Sequence, residues 1–397
     1  MRLAIVTSHP IQYYAPLFRL LAKEPGIELK VYYTWSQSQQ GAKFDRDFGK
    51  MIEWDIPLLD GYPYEFVNNT AKNPGVHHFN GIVNPELNDR IRDWKPDFLL
   101  IIGWNFRSHF SAMRHFKGRI PVLFKGDSTL LDERPGVKKI LRRIFLRWVY
   151  SKVDYALYVG KNNHDYFYKH GLRENQLWFV PHAVDNKRFN GPDNYESGAK
   201  NWRMELGIGD GDLVVLFAGK LEPKKDPDFM LRLARNLPDP RLKLIIVGNG
   251  KSEDELKIRG SKDKRIIFLD FQNQQKMPLV YRLADIFVLP SMGPGETWGL
   301  AVNEAMACKI PVIVSAKCGC APDLVEENLT GWIFEPDEEG DLKIKDLLNR
   351  ILDKRSLLDS MGDQAWQKLQ LYSYPVAIEK IRQLLENMNL AENKTVL

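Results

Sequence analysis

The chain has 397 residues, of which 44% are hydrophobic and 27% charged, and its formal net charge is +5. This length favours two domains, and this composition favours buried cores over disorder. The longest dense apolar runs, such as Phe98–Trp104, fall short of the roughly 20 residues of a spanning helix, and the start MRLAIVT lacks the apolar core of a secretory signal. A transmembrane, secreted or fibrous protein is therefore disfavoured.

Short apolar runs alternate with amphipathic segments over the first half of the chain, which is typical of parallel α/β domains. Most runs are continuous in Val, Ile, Leu and Phe, as expected for strands covered on both faces. The predicted strands are Leu3–Thr7, Glu28–Tyr33, Phe98–Ile102, Pro121–Phe124, Tyr155–Val159 and Trp178–Val180. The predicted helices are Ala15–Lys23, Pro85–Asp93, Val137–Ser151 and Asn162–His170, the last ended by Gly171.

A polar, turn-rich stretch, Gly191–Asn201, predicts a linker, and the alternation restarts after it. The predicted strands are then Leu213–Ala218, Lys243–Val247, Ile266–Leu269, Ile286–Leu289 and Pro311–Val314. The predicted helices are Pro227–Asn236, Met277–Ala284, Trp298–Ala307, Leu342–Asp353, Ser356–Leu371 and Pro375–Asn387. Two α/β domains, 1–192 and 193–374, predict a cleft between them, where ligands usually sit.

The chain has three cysteines, Cys308, Cys318 and Cys320. This low, odd number argues against a disulfide framework and fits a reducing cytoplasm. One residue separates Cys318 from Cys320, and no second Cys or His pair accompanies them, which is a poor zinc signature. The sequence therefore predicts no metal site.

The segment Pro290–Glu304 (PSMGPGETWGLAVNE) carries the most chemical information. A buried strand leads into a loop rich in Gly and Pro, and a helix is predicted to begin near Trp298. Amides at a helix start lack intrahelical partners and, with the helix dipole, favour an anion such as phosphate; Gly299 has no side chain to keep it away. Since Glu296 and Glu304 should avoid phosphate and hold neutral hydroxyl groups, the segment predicts a site for a sugar–diphosphate–nucleoside.

Cations for that site are found in Phe217–Asp226 (FAGKLEPKKD). A strand ends just before Gly219, and Lys220 and Lys225 follow on the loop at the carboxyl end of the sheet. Two ammonium groups there would neutralise a diphosphate without a metal ion. The alternative interpretation is a solvated, charged loop.

The run Pro290–Gly331 resembles the family-4 glycosyltransferases of the GT-B fold. Phe217–Lys225 resembles the basic loop of the same family, with Lys220 where arginine is commoner, and Val180–Phe189 (VPHAVDNKRF) resembles its segment before the interdomain linker. The resemblance is strong over Trp178–Asp337 and weaker elsewhere. It lies in Pro290-Ser291, Glu296, Gly299, Glu304–Ala307, Pro311–Ile313, Gly331, Asp270-Phe271 and Ala284–Pro290.

The resemblance implies an α/β protein of GT-B fold, with two Rossmann-like domains facing a cleft. The first domain, 1–192, would lie on the acceptor side, and the second, 193–374, would bind the donor. A C-terminal helix within 375–397 would pack back on the first domain. The implied activity is metal-independent, retaining transfer of a sugar from a nucleotide-sugar, most simply a UDP- or GDP-linked one, to a glycan or lipid-linked acceptor in cell-envelope polysaccharide or lipopolysaccharide synthesis.

By position, the resemblance also implies roles for single residues. Glu296 would bind donor-sugar hydroxyls and Glu304 the ribose, while Lys220 and Lys225 would stabilise the leaving diphosphate. The other implied donor contacts are Gly219, Thr297, Trp298, Gly299 and Leu300 beside the diphosphate and Phe271 and Asn273 beside the base.

The first domain departs from the family pattern. Ser8–Tyr14 (SHPIQYY) stands where many relatives have a Gly-Gly loop, and His9 and Gln12 are expected to face the cleft there. Relatives often place a histidine near the reacting centre where this chain has Asp127 and Ser128. Asp127 is therefore the candidate for a nucleophile or for another direct role in the reaction. For His9, the alternative to a role in the site is a structural role in the turn.

A basic amphipathic helix is predicted around residues 138–152. Its apolar and basic side chains separate to opposite sides at about 100° per residue. Such a helix can lie on an anionic membrane surface. Members of the resembled family often sit on the cytoplasmic face of the membrane, so the resemblance implies a cytoplasmic protein placed peripherally at the inner face of the cell membrane. A core-packed helix with a solvated basic face is the alternative, and nucleic acid is disfavoured because no readout module is present.

Three other functions compete with sugar transfer. An epimerase of similar fold would use the same nucleotide-sugar without an acceptor, and a non-catalytic protein would only bind sugar. A dinucleotide oxidoreductase should show Gly-x-Gly-x-x-Gly after a first strand, which neither Ser8–Tyr14 nor Gly219–Lys225 does.

Overall fold

A computed structural model describes residues 1–39, 43–45, 50–191 and 194–395. The chain divides into two compact units. The first comprises 1–43, 56–182 and 374–397, and the second comprises 44–55 and 183–373.

The strands follow the predicted alternation closely. In chain order they are β1 (Arg2–Thr7), β2 (Glu28–Tyr33), β3 (Lys43–Asp45), β4 (Lys50–Ile52), β5 (Tyr64–Phe66), β6 (Phe98–Ile102), β7 (Val122–Lys125), β8 (Tyr155–Tyr158), β9 (Leu177–Phe179), β10 (Leu213–Ala218), β11 (Leu242–Val247), β12 (Ile266–Leu269), β13 (Ile286–Leu289), β14 (Val312–Ser315) and β15 (Gly331–Phe334).

The α-helices lie between them. They are α1 (Ala15–Leu21), α2 (Leu87–Trp94), α3 (Arg107–Phe116), α4 (Val137–Tyr150), α5 (Lys161–Lys169), α6 (Asn186–Asn190), α7 (Asn194–Glu205), α8 (Asp228–Asn236), α9 (Glu253–Gly260), α10 (Met277–Arg282), α11 (Leu300–Ala307), α12 (Ala321–Leu324), α13 (Glu338–Asp353), α14 (Met361–Leu369) and α15 (Tyr374–Thr395). None of those described combines the length and hydropathy that crossing a bilayer requires.

Each unit is built on a parallel sheet. Within the described residues, the sheet of the first unit has the order β5-β2-β1-β6-β7-β8-β9, and that of the second has the order β12-β11-β10-β13-β14-β15. The pairings in both sheets are parallel, and the central strands are buried along their length, as continuous apolar runs require. The predicted α/β class with two Rossmann-like sheets is confirmed.

Helix α15 belongs to the first unit. It packs on α1 and β9, where Trp178 Nε1 donates to the Lys380 carbonyl at 2.8 Å. The hydroxyl of Tyr374, its first residue, donates to the Tyr13 carbonyl at 2.9 Å. Residues 396 and 397 of the predicted C-terminal segment lie outside the described residues.

The linker predicted at Gly191–Asn201 is wrong over much of its length, because α7 begins at Asn194. This polar helix gains its stability from tertiary contacts rather than from an apolar stripe. It packs on α10, where Arg282 Nε pairs with Glu196 at 2.6 Å and the Lys276 ammonium lies over the Trp202 ring at 4.4 Å. Residues 192 and 193 lie outside the described part of the chain.

Candidate functional site

Two loops of the second unit meet at the carboxyl ends of β10 and β13. In the loop after β13, Glu296 is buried, with 7% of its surface exposed. Ser291 Oγ donates to Glu296 Oε2 at 3.1 Å, and the ammonium of Lys225, from the loop after β10, pairs with the same oxygen. A backbone bond of 2.9 Å from Met292 N to the Lys224 carbonyl joins the two loops.

The loop after β10 is held by close backbone approaches. Gly219 N donates to the Val247 carbonyl at 3.0 Å, and a Cβ on Gly248 would lie 2.0 Å from the Gly219 carbonyl oxygen. Lys220 follows at the carboxyl end of β10 and is half-buried. A 3₁₀ turn at Pro223–Lys225 then directs Lys225 toward Glu296. The sequence-predicted cation and carboxylate are therefore brought together as a direct ion pair.

Helix α11 begins at Leu300, two residues later than predicted, because Gly299 lies at φ +102° and breaks the helical backbone. The preceding loop is fixed by Gly319 N, which donates to the Glu296 carbonyl, and by Cys320 N, which donates to the Trp298 carbonyl, both at 3.0 Å. The helix start thus sits beside the Lys225–Glu296 pair, where its amides and dipole favour an anion.

The Trp298 side chain packs within the second unit, where it contacts Asn303 and Tyr372. Its indole is 3% exposed, its Nε1 donates to Asn303 Oδ1 at 2.9 Å, and its ring lies 5.8 Å from that of Tyr372. Since Thr297 and Leu300 are only half-buried, they are the more accessible members of the predicted donor-contact run.

Glu304 lies within α11 and is 3% exposed. Tyr281, from α10, donates its hydroxyl to Glu304 Oε2 at 2.7 Å. Sequence reasoning did not select Tyr281, since a tyrosine in an apolar helix gives no signal of a polar partner. The bond orients the Glu304 carboxylate from the side of α10.

The predicted base-side residues lie in the loop after β12. Phe271 N donates to Oδ1 of the fully buried Asn249 at 2.8 Å. Asn273 Nδ2 donates to the Glu53 carbonyl at 2.6 Å, and the rings of Trp54 and Phe271 meet edge-on at 6.4 Å. Asn249 was also missed by the sequence analysis, although it directly follows a glycine after β11.

A second polar group lies in the first unit at the carboxyl end of β7. Lys125 is 2% exposed and donates to the Val180 carbonyl at 2.7 Å. Its burial lowers the pKa of the Lys125 ammonium to about 7. His182 Nε2 lies 3.7 Å from Asp127 Oδ2, and burial lowers the pKa of that imidazole. The ring of Tyr14 lies 6.4 Å from that of His182.

This arrangement adds three residues to the predicted Asp127. Burial, and then the charge of Asp127, raise the pKa of the Tyr14 phenol. The signal for His182 was present in VPHAVDNKRF, but nothing in the sequence showed that it reaches Asp127. The sequence analysis placed Lys125 after the predicted strand Pro121–Phe124, whereas it is the last residue of β7, and nothing in the sequence showed that it is buried.

His9 and Gln12 lie after β1, both half-buried. His9 Nδ1 shares a 2.9 Å hydrogen bond with Ser8 Oγ, and its ring meets that of Trp35 edge-on at 5.5 Å. Within the described ranges of either unit, no group of three or more His, Cys, Asp or Glu side chains has the geometry of a metal site.

Known proteins are similar to this chain in sequence and in fold. Residues 199–368 match the family described as glycosyl transferases group 1. D-inositol 3-phosphate glycosyltransferases are similar over part of the chain: that of Mycobacterium sp. (strain KMS) is 35% identical over 35% of this chain and 32% of its own length. That of Nocardia farcinica is 30% identical over 49% and 44%. The chain thus spans a third to a half of these relatives.

Solved structures cover nearly all of the chain. Anabaena Alr3699/HepE in complex with UDP-glucose has a TM-score of 0.70 at 16% identity, covering 98% of this chain and all of its own. WaaG, a glycosyltransferase involved in lipopolysaccharide biosynthesis, has a TM-score of 0.66 at 14% identity, covering 96% and 99%. At these identities the likeness shows the fold, which is GT-B, as predicted.

Proposed function

We propose that this protein is a retaining, metal-independent glycosyltransferase of family 4. It moves a sugar from a UDP- or GDP-linked donor to a glycan or lipid-linked acceptor in cell-envelope polysaccharide or lipopolysaccharide synthesis. The observation that carries the proposal is the ion pair between Lys225 and the buried Glu296 beside the start of α11. The group 1 match over 199–368, which contains both residues, supports sugar transfer as the reaction class.

In this proposal the diphosphate lies against the start of α11. Lys220 and Lys225 supply positive charge, and amides over 297–300 donate to phosphate oxygens. Gly219 leaves room for the diphosphate because it has no side chain. Glu296 accepts hydrogen bonds from donor-sugar hydroxyls beside that charge.

The nucleoside lies farther along the carboxyl ends of the strands of the same sheet. Glu304, oriented by Tyr281, accepts from the ribose hydroxyls. Phe271 and Asn273, held by their hydrogen bonds to Asn249 and to the Glu53 carbonyl, lie beside the base.

The charges account for the reaction. The anomeric C–O bond to the diphosphate breaks, and the electron pair leaves on a phosphate oxygen that Lys220, Lys225 and helix amides stabilise. The acceptor hydroxyl attacks the same face of the sugar, and its proton passes to the departing phosphate oxygen, so configuration is retained. Asp127 is the alternative group for a direct role, and His182 and Lys125 around it would tune its charge.

A thermal-shift panel tests the donor part of the proposal. UDP-, GDP- and ADP-sugars are compared on the wild type, on Glu304→Ala, and on Glu326→Ala as a matched change at a half-exposed glutamate of the same unit. We expect one nucleotide to raise Tm in the wild type and in Glu326→Ala but not in Glu304→Ala. No shift with any of them would contradict the proposal.

Product analysis then separates the competing functions. A new sugar isomer formed without acceptor would indicate an epimerase, and donor binding without turnover on any acceptor would indicate a binding protein. The proposal also includes a cytoplasmic location, with peripheral attachment to the inner face of the cell membrane. His9 and Gln12 would lie on the acceptor side of the site.

A further inference from the structure

Helix α3 forms one wall of a groove in the first unit. This α3 groove has a volume of about 620 Å³, and its other wall consists of the 3₁₀ turn Phe79–Gly81 and of helix α2. The lining side chains of α3 recur at intervals of three and four residues, so they share one face of that helix. The lining residues are Phe79, Asn88, Arg107, Phe110, Ser111, Arg114 and His115.

The walls of the α3 groove are fixed by contacts within the first unit. Ser108 Oγ accepts from Asn84 N at 2.6 Å and donates to the Ile82 carbonyl at 3.3 Å, which ties the chain after the 3₁₀ turn to α3. The ring of Phe110 packs on that of Trp148, with 5.2 Å between the centroids. The groove is therefore preformed, as small-molecule sites usually are.

The α3 groove carries positive charge that its own surroundings do not neutralise. Across the described ranges, Arg107 and Arg114 have no acidic partner, and no aspartate or glutamate lines the groove. On the facing helix α2, the carboxylate of Asp89 pairs with Arg92 at 2.8 Å instead. An anion that enters the groove therefore meets two guanidinium groups and no lining carboxylate.

Neutral polar side chains supply hydrogen bonds beside this charge. Burial lowers the pKa of His115, so its ring is neutral at pH 7. Arg119 donates to His115 Nε2 at 2.6 Å, which leaves the proton of that ring on Nδ1. Asn88 Nδ2 makes only a long bond of 3.4 Å to Ser111 Oγ, and among the residues that the structure describes its buried Oδ1 has no partner. If the Asn88 amide turns, that oxygen can accept from a ligand hydroxyl.

These groups together select one class of ligand. Arginine side chains pair with carboxylates and phosphates. The rings of Phe79 and Phe110 can pack against the apolar C–H face of a sugar ring, and the amide, hydroxyl and imidazole groups can bond its hydroxyls. A purely apolar ligand would desolvate the two arginines without pairing them. A saccharide that carries acidic groups satisfies the charged, aromatic and neutral polar groups at once.

We propose that the α3 groove binds an anionic oligosaccharide. Arg107 and Arg114 are seven residues apart, about 10 Å along the helix axis, so each meets an acidic group on a different sugar residue. Phe110 lies between them on the same face of α3. Arg107 also begins α3 just beyond the carboxyl end of β6, the end at which ligands of parallel sheets bind. The groove leads away from that end along α3.

This inference deepens the proposed function and rests on it, because the oligosaccharide would be part of the acceptor glycan. It names the chemical class of that acceptor as acidic. The binding itself needs neither donor nor turnover. Failure to bind the saccharide would leave the donor-induced rise in Tm intact, and failure to bind any donor would leave the groove and its affinity intact.

Calorimetric titration of the full chain tests the proposal. The probes are trigalacturonate, the neutral maltotriose and the monosaccharide galacturonate. We expect trigalacturonate to bind at least about tenfold more tightly than either of the others, because it alone engages both arginines, and to weaken as salt is added. Equal affinity for galacturonate would indicate a site for a free sugar acid, and tighter binding of a short oligothymidylate would indicate a nucleic-acid site. Either result would overturn the proposal.

Two variants separate the ionic and the aromatic contributions. Arg107→Gln with Arg114→Gln changes two exposed side chains and should weaken trigalacturonate binding at least about tenfold. Phe79→Ser removes a ring that is 43% exposed and should weaken it about three- to tenfold. Arg235→Gln with Lys262→Gln removes the same charge from exposed positions of the second unit and should bind as the wild type does.

Hydrogen–deuterium exchange locates the bound saccharide. We expect trigalacturonate to slow exchange in peptides covering 77–90 and 107–116, and maltotriose at the same concentration to leave them unchanged. No binding of trigalacturonate, unchanged affinity of the arginine variant, or protection confined to other segments would overturn the proposal. So would an equal loss of affinity in the control variant, because binding would then follow total charge rather than this groove.

Discussion

The Lys225–Glu296 ion pair has a direct consequence for nucleotide binding. In the unliganded chain, Lys225 is already neutralised by Glu296, and its side chain is only 19% exposed. A diphosphate that uses Lys225 therefore arrives next to a carboxylate that repels it. Glu296→Gln removes the repulsion but keeps an oxygen that can accept from Ser291.

The size of the effect follows from Coulomb's law. A carboxylate about 6–8 Å from a phosphate charge, at an effective dielectric constant of about 40–80, costs roughly 0.5–1.4 kcal/mol. Glu296→Gln is thus expected to tighten the binding of UDP or GDP about two- to tenfold while lowering transfer activity. Lys225→Met removes a charge-assisted contact and should weaken the same binding about 10- to 100-fold.

Isothermal titration of the nucleoside diphosphate, without sugar, measures both effects. Glu326→Gln is the matched control, since Glu326 also pairs with a lysine, Lys368 at 2.6 Å, but is 48% exposed. It should leave the affinity unchanged. If Glu296→Gln weakened binding as strongly as Lys225→Met does, Glu296 would organise the loop rather than oppose the phosphate, and the reasoning would be refuted.

Three other perturbations test separate parts of the structure. Gly319→Ala would place a Cβ 1.7 Å from a carbonyl oxygen of the donor loop and should cost about 3 kcal/mol and most of the nucleotide affinity, whereas Gly211→Ala, with open space around it, should change the melting temperature little. Tyr281→Phe removes a hydroxyl that donates to the buried carboxylate of Glu304 and should cost about 1–3 kcal/mol in a urea titration; an unchanged midpoint would contradict that bond. Burial lowers the pKa of Lys125 to about 7. Between pH 7 and the ordinary lysine pKa, the side chain is therefore protonated in the unfolded chain but neutral in the folded one. The free energy of unfolding of the wild type should then rise by about 1.4 kcal/mol per pH unit between pH 7 and 10, relative to Lys125→Met. Equal pH slopes for wild type and variant would show that this ammonium is not buried.

The fold was predictable where one signal dominates. Phe98–Ile102, Leu213–Ala218 and Ile286–Leu289 have the predicted bounds, because each is an unbroken apolar run that a parallel sheet buries on both faces. Helix α7 was missed because it is held by polar tertiary contacts, such as the ion pair of Glu196 with Arg282. Hydrophobic periodicity does not show contacts of that kind. The amphipathic pattern of α4 was visible, but the sequence could not show that the core would use Leu146, Val149 and Tyr150.

The structure brings some of the predicted site residues together, but the sequence did not show their arrangement. Glu296 and Lys225 follow different strands, and the resemblance implied sugar hydroxyls for Glu296 and the diphosphate for Lys225, so their ion pair emerged only from the fold. Tyr281 beside Glu304 and His182 beside Asp127 were missed for the same reason. The roles assigned to these residues remain predictions.

Hydrogen–deuterium exchange with a saturating nucleotide-sugar tests the central claim, that the donor binds at the carboxyl ends of β10 and β13. We predict slower exchange in peptides covering 219–225 and 296–304, and no such slowing when Lys225→Met is used at the same ligand concentration. Protection confined to other parts of the chain, with both segments exchanging as in the unliganded protein, would contradict the claim.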